Sequence, residues 1–196
     1  MATPGECNTE PSLELLQVKN TFIEENTKAA PKKIGFIGMG RLGQIIVKHL
    51  LNSRHVVSIW NQSVEKCLKS VEAGAQLCLT PSEVVRNSDI IFSCVSGPDV
   101  VKSLFYRDEG ILQGFKNCEP GTKGYVELTF MDSSTSNEIA KAIRDNGGKY
   151  LEAPIYDSGR RAEEGSLPLL CSGDLELFKE CEVYFTTFSE FQIFDP

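Results

Sequence analysis

Histidine is nearly absent from this chain of 196 residues: His49 and His55 are the two, and Trp60 is the one tryptophan. The seven cysteines, Cys7, Cys67, Cys78, Cys94, Cys118, Cys171 and Cys181, are odd in number and irregularly spaced, with no Cys-x-x-Cys. A zinc site therefore lacks its usual donors. The same irregularity speaks for reduced thiols in an intracellular protein, several of them packed in the core. No apolar run is long enough to span a bilayer. Met1-Ala2-Thr3-Pro4 opens no basic segment followed by an apolar one, so no secretory signal is expected. Positive charge is also short: 20 Lys and Arg face 27 Asp and Glu, a net charge of −7. That balance argues against a general nucleic-acid-binding face, and no direct nucleic-acid motif is found. Internal repeats and low-complexity tracts are missing too.

What remains is an ordinary globular composition, 41% apolar and 24% charged, enough for one sizeable core. Residues 1–31 read as a separate flexible arm, rich in Pro, Gly and polar residues, with Leu13, Leu15, Leu16 and Val18 as one short element. Lys28, Lys32 and Lys33 read as a solvated basic linker.

From residue 33 onward, strand and helix patterns alternate. Lys33-Ile34-Gly35-Phe36-Ile37 is a strand, and Gly38-Met39-Gly40-Arg41-Leu42-Gly43 follows it and opens a helix. In that context the glycine spacing is a dinucleotide-binding fingerprint. The first glycine makes the turn, the second lets backbone approach a pyrophosphate, and the third lets helix and strand touch. The helix N-terminus then offers free N–H groups to the phosphates. Leu42, Ile45, Ile46 and Leu50 form the buried stripe of that helix.

Val56–Trp60 is the second strand, residues 63–73 a helix with Glu65 and Lys69 spaced for a pair, and Gly74 its C-terminal stop. Thr80-Pro81-Ser82-Glu83 is a capping box. Asp89–Val95 is a continuous apolar run, as a buried parallel strand requires, and Gly97-Pro98 starts a helix over about 98–105. Tyr125–Leu128 is a strand. Thr135-Ser136-Asn137-Glu138 caps a helix running to Gly147-Gly148; Asp132, Ser133 and Ser134 serve that cap rather than a nucleophile. Lys149–Ala153 is a strand, residues 155–166 an extended loop, and Leu167–Cys171 a strand pushed toward an edge by Pro168. Asp174 caps a helix through about Tyr184, and Ser189–Phe194 suits a last edge strand. The pattern predicts an α/β fold: a Rossmann-like, doubly wound, mostly parallel sheet flanked by helices. We divide the chain into an arm (1–31), a Rossmann domain (32–185) and a C-terminal tail (186–196).

Ile34–Gly40, Val57–Asn61, Asp89–Ser96, Leu151-Glu152-Ala153-Pro154, Gly165-Ser166-Leu167 and Ser172-Gly173-Asp174 together resemble the β-hydroxyacid dehydrogenase family over about residues 32–185. Trp60–Cys67, Thr80–Val85 and Cys94-Val95-Ser96 resemble its branch of glyoxylate-reductase-like nuclear factors. The resemblance implies a cofactor site at Gly38, Met39, Gly40, Arg41, Leu42, Gly43, Asn61, Gln62, Ser63, Val95 and Phe130. It also implies a helical second domain that carries a catalytic lysine and builds a dimer; the sequence ends about where that domain begins, so neither lysine nor dimer is expected here. Where the family has a Ser-Thr pair, this chain has Thr129-Phe130, leaving Thr129 as a catalytic remnant. Where the family has Val-Ser-Gly after Glu152-Ala153-Pro154, it has Ile155-Tyr156-Asp157, which sets bulk and charge against a small acid.

The second strand ends in Asn61-Gln62-Ser63, with no carboxylate to repel a 2′-phosphate. NADP is thus favoured over NAD, although Gln62 stands where NADP-preferring relatives carry arginine; Ser63 and Lys66 remain as contacts. The expectation is a catalytically degenerate NADP-binding module serving as a scaffold, with a protein or chromatin partner and a nuclear address by resemblance, otherwise cytoplasmic. The alternative is an active oxidoreductase completed by another subunit or a longer product.

Overall fold

A computed structural model describes residues 32–116, 118–156 and 159–195. The arm expected at 1–31, Cys7 with it, lies outside the described residues, as do Asp157 and Ser158.

The strands are β1 (Ile34–Ile37), β2 (Val57–Trp60), β3 (Gln76–Leu77), β4 (Ile90–Ser93), β5 (Gly124–Glu127), β6 (Lys149–Glu152), β7 (Leu167–Gly173) and β8 (Ser189–Asp195). They form one sheet in the order β3-β2-β1-β4-β5-β6-β7-β8. Neighbours pair in parallel except β6 and β7, which run antiparallel through Leu151↔Gly173 and Glu152↔Ser172. This is the doubly wound sheet expected from the alternating pattern.

The helices are α1 (Arg41–Asn52), α2 (Leu68–Glu72), α3 (Pro81–Asn87), α4 (Pro98–Tyr106), α5 (Ile111–Lys116), α6 (Ser133–Asp145), α7 (Arg160–Glu164) and α8 (Leu175–Phe185). They cover both faces of the sheet. Ile34 and Phe36 of β1, with Ile90 and Phe92 of β4, face a core shared with Ile46, Val47 and Leu50 of α1 and Leu177, Cys181 and Phe185 of α8. Ile37, Ile91 and Tyr125 face the other core, against α3 to α6 through Val84, Val85, Phe105, Phe115 and Ile143. Strand alternation alone produces this two-sided burial.

Several caps fall where the sequence puts them. Thr80 Oγ1 accepts the Glu83 N–H at 3.1 Å, and Asp174 Oδ1 accepts the Leu177 N–H at 2.8 Å. Other details differ. Asp132 caps α6, as expected, accepting both the N–H (3.0 Å) and the hydroxyl (2.8 Å) of Thr135, but Thr135 is not the N-cap of a capping box: it is the third residue of the helix. The segment after β2 begins as a 3-10 turn, Val64–Cys67, which takes Glu65 and Lys69 out of α-helical register. The loop expected at 155–166 contains α7. Pro168 lies on an inner strand, but in the half of β7 that pairs with β8 alone and beside an irregularity in that ladder. A missing N–H costs no ladder bond on the side where no strand lies.

Both histidines have structural contacts. His49 Nε2 lies 2.9 Å from Ala162 O, and the His55 ring meets Tyr184 edge-on. Among the described residues no group of three potential ligands gathers for a metal, and no helix is long and apolar enough to cross a membrane. The six cysteines among the described residues are free thiols, four of them buried.

Candidate functional site

The chain leaves β1 toward one face through α1 and leaves β4 toward the other through α4. Between these diverging helices, at the carboxyl ends of β1, β2 and β4, lies a cavity of about 580 Å³. This is the switch point at which doubly wound sheets bind ligands.

The glycine turn forms its floor. Gly38 has φ +102°, and a Cβ there would stand 2.1 Å from Cys94 O. A Cβ on Gly43 would stand 2.0 Å from Gly38 O, so the turn closes only without side chains at both positions. Gly40 is different. Its backbone is in an ordinary extended conformation at the N-cap of α1, and a Cβ there would meet no atom within 4 Å. The space above Gly40 is an open cradle facing the first turn of the helix, which fits a diphosphate.

Gly38, Gly40, Arg41, Leu42, Gly43, Asn61, Gln62, Ser63 and Val95, all expected at the site, line the cavity. Met39 contributes backbone only: its side chain is buried, its N–H donates to Asn61 Oδ1 at 2.9 Å, and its carbonyl accepts from Gln44 Nε2 at 3.1 Å. Asn61 thereby ties the end of β2 to the turn after β1. Arg41 is exposed and paired with Glu163 of α7 at 3.3 Å.

Phe130 is outside the cavity wall. It is largely exposed and packs on Tyr156, ring centroids 5.2 Å apart, at the carboxyl edge beside β5 and β6. Thr129 is buried, and its Oγ1 accepts the Val95 N–H at 3.0 Å. Its hydroxyl thus holds the loop after β4 in place.

Trp60, part of the motif at the end of β2, also lines the cavity, as do Asp99, Ser103 and Arg107, which the motif reading did not single out. The signal was present: Asp99, Ser103 and Arg107 recur at every fourth residue, one stripe of the helix after Pro98.

Behind Val95 stands a buried carboxylate. Glu127 Oε1 accepts the Thr129 N–H at 2.9 Å, and Oε2 accepts the Tyr125 hydroxyl at 2.8 Å. Burial pushes its pKa up to about 7, against the opposing pull of these donors. Burial and the Glu127 charge push the neighbouring Cys94 thiol up to about 12, so it lines the cavity as a neutral group. The folded state therefore keeps on Glu127 a proton that the unfolded chain, titrating near 4.5, gives up. This contribution is full below that value and is lost as the pH rises through about 7, a change of up to about 3 kcal/mol. Urea melts at pH 5 and pH 8 should show the stability difference between wild type and Glu127→Gln shifting by that order, with the wild type relatively weaker at pH 8.

The family of the NAD binding domain of 6-phosphogluconate dehydrogenase matches residues 33–194. Cytokine-like nuclear factor N-PAC of Anopheles gambiae is 44% identical over 179 residues, 91% of this chain and 31% of that protein. The chain spans about a third of the length of the curated relatives it matches. Among solved structures, Psf3 in complex with NADP+ and 2-OPP superposes with a TM-score of 0.76 at 26% identity, covering 83% of this chain and 56% of that one. Mycobacterium tuberculosis 3-hydroxyisobutyrate dehydrogenase shares the fold, with a TM-score of 0.76 at 17% identity over 84% of this chain and 54% of its own. Matched over most of its length and built on this glycine turn, the chain belongs to the NAD-binding-domain family of 6-phosphogluconate dehydrogenase, with the nuclear-factor relatives its motifs led us to expect.

Proposed function

We propose that this chain binds NADP in the cavity at the carboxyl ends of β1, β2 and β4 and acts as a binding module without hydride-transfer turnover of its own. The observation that carries the reading is the open cradle over Gly40 beside a second strand that ends without a carboxylate. The diphosphate lies against the first turn of α1, and the adenosine ribose lies toward Asn61, Gln62 and Ser63. The NADP+ bound to Psf3 supports the choice of nucleotide class.

Hydride transfer needs an acid or base and donors aimed at the reacting oxygen. The Thr129 hydroxyl is engaged with the Val95 backbone, and Phe130 and Tyr156 present aromatic rings at the same edge. These contacts support a degenerate site and a scaffold role. The naming of the relatives as nuclear factors supports a nuclear location.

Calorimetric titration with NADPH and NADH tests the proposal. Saturable binding, tighter for NADPH, is expected, with no turnover of glyoxylate, succinic semialdehyde or hydroxyisobutyrate. Turnover overturns the degenerate reading, and absence of saturable binding by either nucleotide overturns the whole of it.

A further inference from the structure

NADP differs from NAD by one phosphate, on the 2′ oxygen of the adenosine ribose. In this fold the ribose hydroxyls are contacted just beyond the second strand, and an arginine near that point accommodates the extra phosphate. Here β2 runs into Asn61-Gln62-Ser63, which carries neither the acid that would repel the phosphate nor a cation that would hold it. A dianion in a partly enclosed cavity still needs positive charge.

The stripe of α4 that faces the cavity supplies one. Asp99 lies beside the end of β4, and two turns later Arg107, the residue that ends α4, lies beside the end of β2. Arg107 Nη1 donates to Gln62 Oε1 at 2.9 Å, and the guanidinium carbon lies 5.8 Å from the centroid of the Trp60 ring. Unlike Arg41, which is held by Glu163, Arg107 makes no ion pair among the described residues. Trp60 is itself fixed, its Nε1 donating to Leu79 O at 3.1 Å. The guanidinium is therefore aimed and its charge is uncommitted.

We propose that Arg107 is the specificity-determining residue for the 2′-phosphate, placing from the far wall of the cavity the guanidinium that the end of β2 lacks. This rests on the reading of the cavity as an NADP site and names the group that makes it one. The planar fork holds two phosphate oxygens at once, which the point charge of Lys66, on the same wall as Gln62, does not. Gln62 spends its carbonyl on Arg107, so what it offers an anion is its amide N–H groups. Trp60 beneath the guanidinium limits the freedom lost on binding.

Calorimetry on the whole chain, with adenosine 2′,5′-bisphosphate, 5′-AMP, NADPH and NADH as probes, separates the possibilities. Arg107→Ala is expected to weaken the bisphosphate and NADPH by about tenfold or more while leaving 5′-AMP and NADH within about twofold. Arg107→Lys should recover part of the loss, and thermal melts of both variants report any loss of fold. A variant that weakens all four probes equally, or none, overturns the inference, as does Lys66→Ala carrying the whole preference. In those cases wild-type binding of NADH and 5′-AMP persists and the dinucleotide site stands. Failure of the wild type to bind any of the four overturns the site and this inference together.

Discussion

Replacing Gly40 with aspartate is expected to abolish dinucleotide binding, a loss of about a hundredfold or more, while the protein melts at or slightly above the wild-type temperature. The two effects diverge because of where Gly40 sits. It is the N-cap of α1, its backbone is in a region open to any residue, and a Cβ meets nothing within 4 Å. Aspartate is among the best N-cap residues, since its carboxylate accepts the free N–H groups of the first turn. Those are the groups a diphosphate would use, so the new carboxylate both occupies the donors and sets its charge against the ligand. Calorimetry with NADPH and differential scanning fluorimetry give the two readouts on one sample. Retained affinity would show that no pyrophosphate lies over this turn.

Gly43→Val should do the opposite: a fall in stability of about 3 kcal/mol or more, roughly 10 °C in melting temperature for a domain of this size. The Cβ would stand 2.0 Å from Gly38 O and 3.0 Å from the ring of Phe36. The nearest obstacle is backbone, so no rotamer relieves it, and α1 must lift off β1. Binding is lost here as a consequence of lost packing. Urea denaturation of this variant beside Gly40→Asp measures the distinction between a glycine required by the fold and a glycine required by the ligand. A Gly43→Val protein as stable as wild type would contradict the close helix–strand contact.

These paired outcomes bear on what a fingerprint reports. Its three glycines carry three separate expectations in the sequence, and the structure gives each its physical reason: Gly38 and Gly43 have no room for a side chain, and Gly40 opens onto the cavity. Much of the surrounding architecture was equally legible. Ile34–Ile37 and Ile90–Ser93 are strands because short apolar runs are bounded by turn signals, and Thr80 and Asp174 cap helices because their side chains reach N–H groups three residues on. Such interactions are local, and local chemistry is visible locally. The elements that escaped are those that tertiary contact creates. Helix α5 is six residues long with Gly114 inside it, a poor helix by propensity. It forms because Gly114 lets it approach α3, where a Cβ would stand 2.6 Å from Val85. Strand β3 is two exposed residues recruited by the edge of β2. Helix α7 is five residues long; its Ala162 is buried and its carbonyl contacts His49 of α1.

The sequence by itself determined the parallel α/β alternation, the glycine turn and the absence of an acid after β2, because each depends on residues within a few positions of one another. Which side chains converge on the cavity was decided by the tertiary structure alone. Arg107 meets Gln62 across 45 residues, and Thr129 meets Val95 across 34. Contacts of that span follow from how α4 and β5 are laid against their neighbours, and that placement is the work of the two cores rather than of any motif.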